Sequence, residues 1–253
     1  MEKIVHLVRE RDDRPGSDLR GEVLGRVVPA LRDAGACGVS VHLADDRVDI
    51  AGPMPCPSGE LPVRAAIAYW VPAHDLTDDG IAAARSVGIR NDAYLVTESL
   101  WSEFGQRRGE PRDWPDGERS PGLVTVALVH RNPLLDERTF RELWYRHQSP
   151  MSERVQPRLR YVRNSVVHAV TPGAPPLDGI VVESWPSEGI VSDIEAFHMG
   201  DLGNLKVMLD SVQHIHTQYH RELWAAEWVM TILFSAEYLA RLLSAPRPWA
   251  YAR

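Results

Sequence analysis

The most constraining feature of this chain is that its strand and helix signals run through one order twice. Between the two passes lies "GQRRGEPRDWPDGERSPG" (Gly105 to Gly122), whose proline, glycine and charge suit an exposed connector. Before it, "KIVHLVR" reads as a strand and "SDLRGEVLGRVVPALRDAG" as a helix with Val23, Val27 and Leu31 on one face and Pro29 set to kink it. "CGVSVHLAD" and "VRAAIAYWVP" read as strands, "TDDGIAAARSVGI" as a helix and "DAYLVTESLW" as a closing strand. After it, "GLVTVALVHR" is a β-branched strand and "DERTFRELWYRHQSP" a helix. Asp136 caps that helix, Phe140, Leu143, Trp144 and His147 share one face, and Pro150 marks its expected stop. "YVRNSVVHAV", "IVVESWP", a helical region up to Ile215 and the strand Glu227 to Tyr238 complete the second pass.

Each pass is β-α-β-β-α-β, the ferredoxin-like unit. Its helices cover one sheet face and leave the other bare, so that face has to be buried against another sheet. Two units in one chain can do this for each other. The expected fold is therefore α+β, two tandem ferredoxin-like units enclosing a barrel-like interior: residues 1–106, a linker over 107–121, and residues 122–253. Local likenesses support the duplication, among them "HLVRE" with "ALVHR" and "YLVTESL" with "TILFSAEYL"; Trp70 and Trp185 fall on the two third strands.

Composition narrows the function. A net charge of -7 with a pI near 5.8 argues against a nucleic-acid or anionic-membrane surface, which needs clustered cations. No apolar run reaches a membrane span of about 18 residues, and the N-terminus lacks a signal-peptide core. A cytoplasmic protein is expected. Cys37 and Cys56 form no C-x-x-C, so no disulfide framework is expected. Phosphate-binding glycine loops and G-x-S-x-G are absent.

The second half resembles the EthD-like branch of the dimeric α+β barrel superfamily. The resemblance covers about Gly122 to Leu242 and rests on "TVALVHR", on Phe140 and Trp144 spaced F-x-x-x-W with Pro150 beyond, on "RLRYVRN" and on the late "DSVQHI … FSAEY". The first half looks like a diverged second copy, so the chain looks like a fused form of what is usually a homodimer. The resemblance implies an intrachain dimeric α+β barrel with a cavity for a small aromatic or apolar molecule. The superfamily's activities include polyketide cyclases, dehydratases and haem enzymes, which leaves the reaction open. The family histidine stands four residues after the tryptophan; here that place holds Gln148, and His147 precedes it.

The candidate proton carriers are His147, His130 and His168, because imidazole gives or takes a proton near neutral pH. Gln148 is a candidate amide donor to a substrate oxygen. Trp144, Trp185 and Trp70 are candidate walls, with Tyr161 and Arg131 as polar contacts. His216 and His220 stand at i and i+4 near His214, but the glutamate of a zinc helix is missing and no metal is expected. The favoured reading is a cofactor-independent cyclase, dehydratase or related lyase of secondary metabolism, acting on a polyketide-like or aromatic substrate. A non-catalytic carrier of a hydrophobic metabolite and a haem-binding protein are the alternatives. A homodimer is compatible with either.

Overall fold

The structure is a computed structural model and describes residues 1–11, 13–47, 60–75, 78–103 and 114–218. The expected strand at Glu227 to Tyr238 lies outside the described residues, as do 104–113 of the connector. The fold is mixed α/β. Strands β1 (Glu2–Arg9), β2 (Cys37–Leu43), β3 (Val63–Val71), β4 (Arg90–Glu103), β5 (Leu123–Val129), β6 (Arg160–Ala169) and β7 (Gly179–Trp185) form one antiparallel sheet in the order β2-β3-β1-β4-β6-β7-β5. The sheet is curled into a half-barrel.

Helices α1 (Gly16–Glu22), α2 (Val28–Asp33) and α3 (Asp78–Arg85) follow β1 and β3; α4 (Glu137–Glu142) and α5 (Ser149–Val155) follow β5; α6 (Glu188–Ser192), α7 (Ile194–Phe197) and α8 (Leu202–Gln218) follow β7. The chain divides into two compact units. The first, Met1–Arg131 with Gln156–Asp201, holds the whole sheet with α1–α3, α6 and α7; the second, Asn132–Val155 with Leu202–Arg253, holds α4, α5 and α8.

Both prolines that the sequence marks as breaks are accommodated in the same way. A π-helical turn, Val23–Val27, joins α1 to α2, and Pro29 stands two residues after its end. A second, Leu143–Gln148, joins α4 to α5, with Pro150 two residues after its end. In each, an amide reaches back five residues, Val28 to the Val23 carbonyl and Ser149 to the Trp144 carbonyl. A proline cannot donate to the helix ladder and crowds the preceding turn; one extra residue in that turn lets the helix continue. Pro150 therefore sits inside a helical stretch that runs on to Val155. The two prolines are 121 residues apart, as are the first residues of β1 and β5.

Strand β1 has apolar residues on both faces, which is why it reads as a nearly continuous apolar run. Ile4, His6 and Val8 face the helices, where Leu19, Val23, Val27, Leu31, Ile67 and Tyr69 complete a core. Val5 and Leu7 face the inside of the curl and pack with Ala66, Ala68, Tyr94, Val96 and Ile180. Each fully buried aliphatic side chain of this kind contributes about 1.5–3 kcal/mol by transfer from water.

The two passes of the chain meet edge to edge. Strand β4 pairs with β1 on one side and with β6 on the other, from Tyr94 opposite Ala169 to Glu103 opposite Arg160. Two register shifts interrupt the β4–β6 ladder, and such irregularities bend and twist a sheet. Curling follows: Arg160 on β6 presses electrostatically on His42 on β2, four strands away. In a flat sheet they would stand roughly 19 Å apart at least, at about 4.8 Å per strand.

On the helix side, the fully buried His6 is satisfied within the core. Asn91 donates its amide to the Ala84 carbonyl at 2.8 Å, so its side-chain oxygen faces His6 Nδ1 at 2.7 Å and accepts from it. Nε2 then accepts from the Tyr69 hydroxyl at 2.9 Å. Burial lowers the His6 pKa to about 4. Below the ordinary value of 6.5 the unfolded chain takes up a proton that folded His6 refuses. Its contribution to stability is thus complete above pH 6.5 and lost as pH falls toward 4, on the order of 3 kcal/mol. Urea unfolding at pH 7 and pH 4.5 should show this loss, and His6→Gln should flatten it; an equal pH slope in both proteins would contradict the neutral buried imidazole.

Candidate functional site

The inner face of the curl carries a buried polar cluster among its apolar side chains. Lys3 is only 6% exposed, and its Nζ donates to Glu98 Oε2 at 2.5 Å and to Asn164 Oδ1 at 2.8 Å. Asn164 is fully buried and fixes its own orientation by donating Nδ2 to the Ile180 carbonyl at 2.9 Å. Strand alternation brings the three together: Lys3 lies opposite Val96 on β4, Glu98 follows two residues on, and Asn164 lies opposite Glu98 on β6. The Lys3 ammonium also stands 5.9 Å from the centre of the Trp70 ring, its direct neighbour on β3. Gly38 on β2 gives that ring room, since a Cβ there would come within 3.0 Å of the Trp70 ring and φ is +58°.

Burial lowers the Lys3 pKa, and Glu98 opposes that shift. His42 also belongs to this face, opposite Ala66. It keeps partial exposure, yet desolvation, then Arg160 and Lys3, bring its pKa down to about 4. At neutral pH its imidazole is uncharged. The cluster thus combines a carboxylate, an ammonium held by two oxygens and an indole, with the neutral imidazole of His42 four residues further along the same face, since His42 lies opposite Ala66 and Lys3 opposite Trp70; these are groups able to take a proton and steady an oxyanion. At the other end of the same face, Asp92 is clamped by Arg9 at 3.2 Å and Arg90 at 2.9 Å. Tyr94 donates its hydroxyl to the Pro175 carbonyl at 2.9 Å, and burial pushes its phenol up to about 12. Those groups are bound into the protein.

The residues singled out from sequence are dispersed. His130 is exposed just beyond β5. His168 is exposed on β6, where its ring meets that of His74 edge to face at 5.2 Å; His74 Nδ1 donates to Glu2 at 2.7 Å. Strand β7 lies between β5 and β6, so the two histidines do not share neighbouring strands. Arg131 is tied to Asp178 through its backbone amide at 2.7 Å and its side chain at 3.6 Å. Tyr161 is buried under the Arg158 guanidinium, 3.9 Å from the ring centre.

Trp70 and Trp185 face opposite sides. Leu123 lies opposite Trp185 as Glu2 lies opposite Val71, so the counterpart of Trp185 is Val71 and that of Trp70 is Ser184. One residue of offset reverses the face. Trp185 is buried, donates to Thr125 at 2.9 Å and packs on Phe197 at 4.8 Å. In the second unit, Trp144 is buried against Phe140 and Tyr145, while His147 is exposed and Gln148 half-buried on the π-helical turn. The side chains of His214 and His216, and His220 altogether, lie outside the described residues. Among the described residues no group of three or more His, Cys, Asp and Glu side chains is arranged to hold a metal ion. An open cleft of about 540 Å³ runs along Glu137, Arg138, Arg141, Glu142, Tyr145 and Arg146. These line a single helical stretch whose charges already pair, Arg138 with Glu142 and Arg141 with Glu137, so it is helix surface and not a reaction chamber.

Sequence reasoning passed over Lys3, Glu98, Asn164 and His42. One signal was available: of 28 lysines and arginines only Lys3 and Lys206 are lysines. A chain that uses arginine almost everywhere keeps a lysine on an inward strand position. No protein-family model matches the chain, and no curated protein matches it. No helix among the described residues is long and apolar enough to cross a membrane.

The Lys3–Glu98 pair has a measurable signature. Glu98 keeps 22% of its side-chain surface, so Lys3→Met or Glu98→Gln alone should cost about 2–4 kcal/mol, slightly less than for a wholly enclosed pair. The Lys3→Met/Glu98→Leu double variant should lose less than the sum in urea unfolding. Strict additivity would show that the two do not interact.

Proposed function

We propose that the chain is a cofactor-independent acid–base enzyme of the cyclase, dehydratase or lyase type, acting on a small aromatic or polyketide-like carbonyl compound at the inner face of its curled sheet. The observation that carries this reading is the buried Lys3–Glu98–Asn164 cluster beside Trp70, on the face that also carries the neutral His42. Glu98 or His42 takes the proton next to the substrate carbonyl, the Lys3 ammonium donates to the carbonyl oxygen, and Trp70 with the aliphatic lining holds the ring. The exposed histidines His130, His168 and His147 are left outside the mechanism.

The same reading takes the chain as two tandem ferredoxin-like units of the EthD-like, dimeric α+β barrel kind. Support comes from the order β2-β3-β1-β4 in the first pass, from β6-β7-β5 in the second, and from the paired π-helical turns before Pro29 and Pro150. The copies have diverged at the site. Matching the two ladders sets Lys3 against Val124 and His42 against Asn164, so the reactive groups belong mainly to the first half.

Exchange of the methyl protons of 2-acetonaphthone for solvent deuterium, followed by proton NMR, tests the reading without knowledge of the natural substrate. The wild-type protein should accelerate exchange, His42→Ala and Glu98→Gln should each slow it by roughly 100-fold, and His130→Ala and His168→Ala should leave it unchanged. Loss of exchange in the last two variants would move the chemistry to the exposed histidines. Binding of the ketone without any exchange would favour a carrier of hydrophobic metabolites.

A further inference from the structure

We propose that Lys3 is a covalent catalyst: its amine condenses with an aldehyde or ketone substrate to form an iminium, with Glu98 as the proton shuttle. The proposal rests on the reading above for the place of the site and adds the substrate's reacting group and the form of its activation. Three observations on this chain lead to it.

The first is residue choice. Arginine supplies every other strong side-chain cation except Lys206, and Lys206 is exposed on α8. If the inward position on β1 needed only a positive charge for Glu98, arginine would serve and would pair with a carboxylate in bidentate fashion. A guanidinium keeps its proton and is no nucleophile, whereas an amine can lose one and attack carbon. The second is geometry. Lys3 Nζ is held by Glu98 Oε2 at 2.5 Å and Asn164 Oδ1 at 2.8 Å, so a carboxylate is in place to accept the ammonium proton and an amide oxygen fixes where the nitrogen lies. The third is environment. The amine is 6% exposed on an apolar face, and desolvation there favours its neutral form.

The step balances within the cluster. Glu98 removes a proton from the Lys3 ammonium; the free amine adds to the carbonyl carbon, the carbonyl π pair moves to oxygen, and a proton passes from the nitrogen to that oxygen, giving a neutral carbinolamine. Protonated Glu98 returns its proton to the departing hydroxyl, water leaves, the nitrogen lone pair forms the C=N bond, and the iminium replaces the ammonium charge. An iminium draws electrons from the adjacent carbon more strongly than the parent carbonyl does. Proton removal there by His42 gives an enamine, the carbon nucleophile that an aldol-type ring closure or its reverse requires.

The test is a competition among three amines of the full-length protein. 2-Naphthaldehyde with sodium cyanoborohydride, which reduces a C=N bond once formed, is added at neutral pH and limited extent, and the labelled sites are mapped by peptide mass spectrometry. Accessibility alone favours Lys206 and the amino group of Met1, a residue 71% exposed, over Lys3. The proposal expects the reverse: Lys3 labels first and the intact mass rises by one adduct. Glu98→Gln slows that labelling about tenfold or more while Lys206 labels as before. Lys3→Arg keeps the charge and removes the fast adduct. Mapping of the wild-type protein requires no variant to fold. Labelling of Met1 and Lys206 ahead of Lys3 overturns the proposal. If deuterium exchange persists in that case, only the covalent step falls and acid–base catalysis stands; fast Lys3 labelling supports the step whether or not acetonaphthone exchanges.

Discussion

The pairing of β4 with β6 is the constraint on which the rest of the structure depends. It joins the four strands of the first pass to the three described strands of the second in one sheet and supplies the register shifts at which that sheet bends. It also gives Lys3, near the start of the chain, a partner in Asn164, 161 residues later. Without that seam the inner face of β1 would be an exposed apolar strip carrying a solvated lysine. With it, the strip becomes lining and the lysine becomes a buried cation with fixed acceptors. The curl acts on His42 as well: desolvation first, and then the charges of Arg160 and Lys3, hold its imidazole neutral.

The two faces of β1 show how one strand separates structure from chemistry. His6 and Lys3 stand three residues apart and point to opposite sides. His6 is locked between Asn91 and Tyr69, and both ring nitrogens are occupied by protein groups. It is a core histidine with no capacity to spare. Lys3, in contrast, is held by a carboxylate that can exchange protons with it, next to an indole and on the same face as a partly exposed imidazole. Burial alone does not distinguish the two; the chemical capacity of their partners does.

Much of the fold was legible in the sequence. Every strand from β1 to β7 and the helical stretches between them fall where alternation, β-branched runs and capping residues place them, because those signals are local. Pro150 misled as a stop, since the π-helical turn at Leu143–Gln148 absorbs it and nothing in the residue types announces such a turn. The site was much less legible. Lys3, Glu98 and Asn164 converge only through ladder registers between segments 95 and 161 residues apart, which residue types do not encode. The same ladder separates Trp70 from Trp185, which look equivalent in sequence but differ by one position in pairing. His130 and His168 fall at strand ends as expected, and those two ends, after β5 and in β6, are exposed. The scarcity of lysine was the one compositional trace of the site.

The central claim is that Lys3 is a desolvated amine coupled to Glu98 inside the curl. Because the chain has only two lysines, ¹⁵N-lysine labelling makes both ammonium groups separable by NMR, with Lys206 as the exposed reference. Titration should find Lys3 losing its proton below the ordinary lysine value of 10.5, with a side-chain signal that moves when Glu98 is replaced by glutamine. A Lys3 titrating at the ordinary value and indifferent to Glu98→Gln would show that it is solvated and unpaired, and would contradict the site built on it.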